Sequence, residues 1–229
     1  MSSTPQNLQI IFEDNHLIVI NKRSGDIVQG DKTGDRPLSE VVKLYLKDKY
    51  NKPGEAYLGV VHRLDRPTSG VVLFAKTSKA LSRLNKAFAN RETQKVYWAI
   101  VKTKPKQVSA RLVHYLKRNP KQNKSYAHIK PVPESKEAIL SYQLIKSLDN
   151  YHLLEIQLET GRHHQIRSQL SAIGSPIKGD LKYGFDRSNK DGSIHLHARK
   201  LTITHPVQKE IITFEAPTPE DVLWNNCRV

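Results

Sequence analysis

Residues 61–70, Val-His-Arg-Leu-Asp-Arg-Pro-Thr-Ser-Gly, run without a break into the apolar stretch Val71-Val-Leu-Phe-Ala75. Few arrangements satisfy both halves of that run. The apolar half reads as a buried strand. The half before it carries a single carboxylate, Asp65, between two guanidinium groups, Arg63 and Arg66. Pro67 cannot donate to a sheet ladder and pushes Arg66 toward an extended conformation. Thr68, Ser69 and Gly70 then supply turn chemistry. The expectation is a charged loop at the mouth of a core strand, a place where scaffolded chemistry is often carried. Alone, these ten residues read better as a surface ion pair worth about 0–1 kcal/mol.

The chain around this run alternates strand and helix patterns. Residues 8–21 predict two short strands about a turn at residues 13–15, since Leu8, Ile10 and Phe12 alternate and Leu17 to Ile20 is an unbroken apolar run. Leu38, Val41, Val42 and Tyr45 keep helical spacing, predicting a helix over 38–48. A second helix is predicted from Ser78, read as its N-cap, to Asn90, with Leu81, Leu84 and Phe88 on one face. Lys95 to Val101 is rich in β-branched and aromatic residues and predicts a strand. Residues 142–148 and 151–159 predict a hairpin turning at Asp149-Asn150. Ile166, Leu170 and Ile173 give a further helix that Gly174 and Pro176 stop. Residues 194–206 and 211–214 close the chain as strands.

Charge narrows the partner. The 229 residues carry 37 Lys and Arg against 22 Asp and Glu, a formal net charge of +15. Ten Lys or Arg but only two Glu fall between residues 102 and 137, where Tyr115 and Tyr126 interleave with Lys117, Arg118, Lys121 and Lys124. Concentrated cations favour RNA or DNA over mere solubility, because phosphates release counterions, and aromatics interleaved with cations are common on RNA-binding surfaces, where bases stack on rings. The same stretch also reads as a solvated loop, with strands and loops rather than a separate domain expected there. A lone cysteine, Cys227, excludes an intrachain disulfide framework and points to a reducing cytoplasm. No apolar run approaches the roughly 20 residues that span a bilayer, and the first seven residues lack the pattern of a signal peptide. His195-x-His197 has the spacing of a strand metal pair, yet no acidic or cysteine cluster accompanies it, so a structural role is expected.

Three stretches together resemble one family. His62-Arg-Leu-Asp-x-x-Thr-Ser-Gly70 is similar to the signature of the RluA-type RNA pseudouridine synthases. Lys95-x-Tyr-x-Ala-x-Val101 resembles the family's second motif, and Gly161-Arg-x-His-Gln-Ile-Arg167 its third. Asn21-Lys-Arg-Ser-Gly25 and Gly174-x-Pro-Ile-x-Gly-Asp-x-x-Tyr-Gly184 follow the family too, with Arg23 where proline is usual and Gln169 where histidine is more frequent. The resemblance implies a mixed α/β fold: a long bent, mixed or antiparallel sheet flanked by helices and loops, with a central catalytic cleft. One catalytic domain is expected over residues 8–217, with 1–7 and 218–229 as terminal extensions. The short stretch before Leu8 leaves no room for a small N-terminal RNA-binding module, which makes compact members acting on transfer RNA or a ribosomal stem-loop the nearest models.

The resemblance also assigns roles. Asp65 is the catalytic carboxylate, Arg167 the arginine that pairs with it, and Tyr97 the tyrosine against the target base. Arg63 fills the space left by the flipped nucleotide, and His62, Arg66, Arg162, His164 and Gln165 join it in the RNA-binding group. In an extended segment Arg63 and Asp65 would project from one face. Pseudouridine formation exchanges a C–N for a C–C bond within one nucleotide, so no cofactor and no metal is expected. The expected partner is structured RNA, a tRNA or rRNA stem-loop, and the expected state a monomer. Two rivals remain at this point: an RNA-binding module without activity, which Asp65 and Tyr97 argue against, and a hydrolase pairing Asp65 with a second carboxylate such as Asp180, which needs the two within about 5–10 Å.

Overall fold

A computed structural model describes residues 2–31 and 33–227. In chain order the elements are β1 (Ile10–Glu13), β2 (Leu17–Lys22), α1 (Leu38–Lys49), β3 (Gly59–Val60), β4 (Ser69–Ala75), α2 (Ser78–Ala89) and β5 (Gln94–Val101). There follow β6 (Ser109–Asn119), β7 (Lys124–His128), β8 (Lys136–Ser147), β9 (His152–Leu158), α3 (Gln165–Ala172), a 3-10 turn (Leu181–Tyr183), β10 (Leu196–Thr204), β11 (Ile211–Glu215) and α4 (Val222–Cys227). The class is mixed α and β, with helices flanking antiparallel strand pairs. The chain divides into two compact units: Met1–Thr93 with Ala198–Pro219, and Gln94–His197 with Glu220–Val229.

In the first unit β1, β2 and β4 pair in that order, β3 pairs with β4, and β11 pairs with β10. The unbroken apolar runs of β2 and β4 are explained by burial on both faces. Leu17, Val19, Val71, Leu73 and Ala75 pack with Ala80 and Leu84 of α2 and with Phe214. The alternate residues Ile18, Ile20, Val72 and Phe74 pack with Leu38, Val42 and Leu46 of α1. Each such side chain contributes roughly 1.5–3 kcal/mol by leaving water. Asp14 makes the turn between β1 and β2, its Oδ1 accepting from the backbone N–H of His16 and Leu17. Gly70 opens β4 at φ +113°, with the backbone of Ala198 where a Cβ would stand, so only glycine fits where the charged loop enters the strand. Helix α2 begins one residue earlier than expected: Thr77, not Ser78, is the N-cap, its Oγ1 accepting from Ala80 N–H at 3.2 Å.

The second unit orders its strands β5-β9-β8-β6-β7. Strand β9 shows why its alternation is strict. Leu154 and Ile156 pack with Ala99, Val101, Leu140 and Tyr142 beneath Ile166 and Leu170 of α3. Leu153, on the opposite face, packs with Trp98, Ile100, Trp224 and Cys227. Residues 218–229, expected as an extension, therefore include a helix, α4, that contributes core side chains. The basic stretch is no featureless loop either. It forms the β6–β7 hairpin, in register from Tyr115 opposite His128 to Asn119 opposite Lys124, and its end belongs to β8.

Glu13 is the electrostatic tie between β1, α1 and the end of β4 in the first unit. Its carboxylate accepts from Lys49 (2.8 Å), Lys76 (2.8 Å), Tyr45 (3.1 Å) and Tyr50 (2.7 Å). Burial alone would raise its pKa, but the hydrogen bonds from Lys49, Lys76 and Tyr50 outweigh it and bring it down to about 2. A carboxyl depressed in this way stabilises fully above its unfolded pKa and loses that contribution as the pH falls toward 2. Glu13→Gln should therefore lower stability by about 1–3 kcal/mol at pH 7. Thermal melts of both proteins should converge as the pH is lowered from 4.5 to 2, and a gap that stays constant with pH would contradict the charge-based account.

Candidate active site

The motif residues form two constellations, one in each unit. In the first unit the loop after β3 holds His62, Arg63, Asp65 and Arg66. Residues 61–65 adopt no strand, so the shared face expected for Arg63 and Asp65 is not imposed by β geometry: Arg63 is exposed and Asp65 half-buried. The Thr68 N–H closes a turn onto the Asp65 carbonyl at 3.0 Å. The Arg66 carbonyl accepts from Gly25 N–H at 2.8 Å, which ties this turn to the Asn21–Gly25 stretch of the sequence.

Two members of the group are occupied by the protein itself. The ring of His62 stacks on Phe88 with centroids 5.2 Å apart, and its Nε2 accepts from Leu73 N–H at 3.0 Å. This brace seats the loop on β4 and α2. The Arg66 guanidinium reaches Asp35 at 2.7 Å, Thr33 at 2.8 Å and Asp31 at 3.8 Å. It holds the loop before α1. Being some 39% exposed, it makes ion pairs of modest strength.

In the second unit the third motif wraps the start of α3. Gln165 secures it: its Oε1 accepts from Thr160 Oγ1 (2.8 Å) and Arg162 N–H (2.9 Å), and its Nε2 donates to the Ile139 carbonyl (3.0 Å). The Arg162 Nε donates to the Glu137 carbonyl at 2.9 Å. His164 takes the left-handed conformation, φ 52°, at the N-cap position, so the chain enters the helix through a kink that most residues avoid. Its Nδ1 lies 2.9 Å from the Tyr183 hydroxyl, which accepts in turn from Ser125 N–H at 2.8 Å. His163 stacks on His164 at 3.8 Å and bonds Ser125 and Asn123 in the β6–β7 hairpin.

Arg167 is buried, and its charge is met within the unit by Asp180, itself 1% exposed. The pair is bidentate: Nε to Oδ2 at 2.7 Å and an Nη to Oδ1 at 2.9 Å. The guanidinium also lies 5.0 Å over the Tyr183 ring, which carries Lys124 at 5.1 Å as well. Asp180, weighed from the sequence as a second reacting carboxylate, is thus the counter-ion of Arg167 and has its oxygens committed. Tyr97 lies half-buried on β5 opposite Ile156 and packs against the core cluster that contains Ile166 and Leu170.

Sequence reasoning named the motif positions but not their supports. Tyr183, Ser125 and His163 were given no role from the sequence because they act through contacts between residues far apart along the chain: Tyr183 with Ser125, 58 positions apart, and with His164, 19 apart, and His163 with Ser125, 38 apart. One signal was available: a buried arginine needs a buried acid, and the Gly179-Asp-x-x-Tyr-Gly184 turn offers one. His195 and His197 serve structure: His195 stacks on Trp224 at 5.4 Å with its Nε2 2.9 Å from the Asp221 carboxylate, and His197 meets the Trp224 edge at 5.9 Å.

Comparison with known proteins adds family to geometry. The model of the RNA pseudouridylate synthase family matches residues 16–172. An uncharacterised RNA pseudouridine synthase of Synechocystis is 35% identical over 216 residues, spanning 93% of this chain and 66% of that protein. Ribosomal large subunit pseudouridine synthase D of Zymomonas mobilis is 32% identical over 225 residues, 94% of this chain and 70% of that protein. The chain thus spans about two thirds of the length of these relatives. Among solved structures, human RNA pseudouridylate synthase domain containing 4 superposes with a TM-score of 0.78 at 25% identity, over 94% of this chain and 90% of that one.

Removing one partner of a buried ion pair strands the other charge. Arg167→Ala and Asp180→Ala should each lose about 3–5 kcal/mol, on the order of 10 °C in Tm. Asp180→Asn, which keeps shape and one acceptor, should lose less. Unchanged melting in all three variants would show that the pair is not desolvated.

Proposed function

The chain belongs to the RNA pseudouridylate synthase family, and from that membership we propose that it isomerises a uridine of structured RNA to pseudouridine with Asp65 as the reacting carboxylate. The observation that carries the reading is the family match over residues 16–172, which takes in all three motif stretches, with Asp65 displayed on a turn at the mouth of β4. The reaction breaks the bond between the ribose C1′ and N1 of uracil. It then forms a bond from C1′ to C5 of the same ring. A proton leaves C5 and N1 ends protonated, so atoms balance without any co-reactant. An ionised Asp65 serves as nucleophile or base in that sequence.

The remaining roles follow from the chemistry of each side chain. Arg167, whose position is set by Asp180 and Tyr183, supplies the positive charge that pairs with Asp65 and orients it. Tyr97 packs on the uracil and accepts or returns a proton during its rotation. Arg63, exposed on the loop, takes the place of the everted nucleotide and offsets part of the few kcal/mol lost in unstacking. The β6–β7 hairpin, with Lys117, Arg118, Lys121 and Lys124 beside Tyr126, meets the phosphates and bases of a tRNA or rRNA stem-loop. The hydrolase alternative is disfavoured at Asp180, whose buried carboxylate is engaged by Arg167.

RNA from a strain lacking the gene, treated with purified enzyme and mapped with a pseudouridine-specific label, identifies the target. On that RNA Asp65→Asn should abolish turnover, by at least about a thousandfold, while RNA affinity and Tm stay near wild type. Activity above a mock-purified control would defeat the assignment. Arg63→Ala should slow modification strongly on a folded stem-loop and much less where the target uridine is already unstacked. Equal slowing on both RNAs, measured as single-turnover rates, would place Arg63 in phosphate attraction or chemistry instead.

A further inference from the structure

The guanidinium of Arg66, one residue beyond Asp65, is surrounded by acceptors from the loop that joins β2 to α1. Its Nη1 lies 2.7 Å from Asp35 Oδ2. Its Nη2 donates to Thr33 Oγ1 at 2.8 Å and stands 3.8 Å from Asp31 Oδ2. Thr33 is prepared for this contact. Its hydroxyl and, at 2.9 Å, its N–H both donate to Asp31 Oδ1, which leaves a lone pair of Thr33 Oγ1 for Arg66. Two carboxylates thus attend one guanidinium, and they present oxygens of the kind that a phosphate group also supplies.

The loop does not need this tie to keep its course. Leu38 N–H donates to the Ile27 carbonyl (2.7 Å) and Ser39 N–H to the Val28 carbonyl (3.2 Å), so the ends of the loop are drawn together at the start of α1. Gly34 turns the chain between them at φ +77°. Asp31 and Asp35 are exposed and Arg66 partly so, a setting in which an ion pair adds little to stability and is readily exchanged. The pair does govern the charge that an approaching polyanion meets beside Asp65. Two negative groups stand against one positive group, where Arg66 by itself would offer a bare cation.

We propose that Asp31 and Asp35 are specificity-determining residues: they hold Arg66 until a backbone phosphate of a correctly seated RNA strand takes their place, and they repel strands that seat otherwise. The proposal rests on the reading of this chain as an enzyme acting on structured RNA. A misaligned phosphate does not displace a carboxylate oxygen at 2.7 Å and meets its like charge instead. Such like-charge juxtaposition is a general means of rejecting wrong partners. A phosphate that accepts from both Nη groups gives Arg66 two parallel bonds, and the released carboxylates turn to water. Exchange costs the aligned strand little because the pair is exposed. The misaligned strand gains nothing from Arg66.

Affinity at low salt for two RNAs tests this. One is the stem-loop carrying the mapped site, already in its pseudouridine form so that no reaction intervenes. The other is an oligocytidine of the same length, which holds no uridine. Four proteins are compared: wild type, Asp31→Asn with Asp35→Asn, that double variant with Arg66→Ala added, and Asp48→Asn with Glu55→Gln. The last makes the same change of charge at two other exposed acids of the first unit. The Asp31/Asp35 variant should bind oligocytidine at least about threefold more tightly than wild type, and the stem-loop by a smaller factor, so that discrimination falls. Adding Arg66→Ala should remove the gain, and the Asp48/Glu55 variant should show none. All four should melt near the wild-type Tm, since the pairs concerned are exposed. Unchanged oligocytidine affinity, an equal gain on both RNAs, a gain that survives Arg66→Ala, or the same gain from the Asp48/Glu55 variant would each overturn the proposal. If no pseudouridine site can be mapped, the enzymatic reading fails, and the oligocytidine comparison with and without Arg66→Ala still decides whether the two acids hold Arg66 back from RNA.

Discussion

Burial of β2 and β4 on both faces is the constraint from which the first unit follows. Ile18, Ile20, Val72 and Phe74 face α1, while Leu17, Val19 and Leu73 face α2 and β11. No solvent-facing side remains for polar groups along these strands, so polarity collects at their ends, where β2 becomes the Asn21–Gly25 segment and β4 begins at Ser69. There each buried polar group has to find partners within the protein. Asn21 bonds Gln9 and the Pro217 carbonyl, and Lys22 bonds three carbonyls. The loop that carries Asp65 is thus anchored by the demand of its neighbours for hydrogen bonds.

The second unit meets the same problem with an ion pair. Arg167 lies on a helix whose apolar residues Ile166 and Leu170 are core. A guanidinium placed there costs several kcal/mol unless it is matched. Asp180 matches it in two bonds, and the Tyr183 ring covers it. Tyr183 serves twice, because its hydroxyl joins His164 to Ser125 and so connects the third motif to the basic hairpin. A hairpin suited to meeting RNA and an arginine suited to holding a carboxylate are therefore coupled through one phenol. That coupling fixes the arginine relative to the basic hairpin within the unit.

Much of this was legible in the sequence. Alternation along Leu154, Ile156 and Leu158, helical spacing along Leu38, Val41 and Val42, and the unbroken runs of β2 and β4 placed β9, α1, β2 and β4 within a residue or two, because periodicity reports which side chains leave water. The three motif stretches identified Asp65, Tyr97 and Arg167 as the residues of interest through resemblance, and the +15 charge pointed to a polyanion.

What the sequence left open was which buried groups meet. Arg167 also bonds Asp180, thirteen residues away across a turn that no local pattern closes, a partner the sequence did not assign to it. Residues 218–229 read as a tail because six helical residues carry too short a pattern, but Trp224 and Cys227 complete a core with Ile100 and Leu153. The stretch from Lys102 to Lys136 lacked periodicity because its hairpin strands expose much of both faces. Lys22 carried no reading of its own beyond its place in the Asn21–Gly25 stretch. Only the tertiary structure puts its ammonium beneath the Arg66 carbonyl, because β2 and the Asp65 turn, 44 residues apart, become neighbours once β2 pairs with β4. Local sequence decides where a side chain leaves water; the long-range pairing of strands decides which charge it finds there.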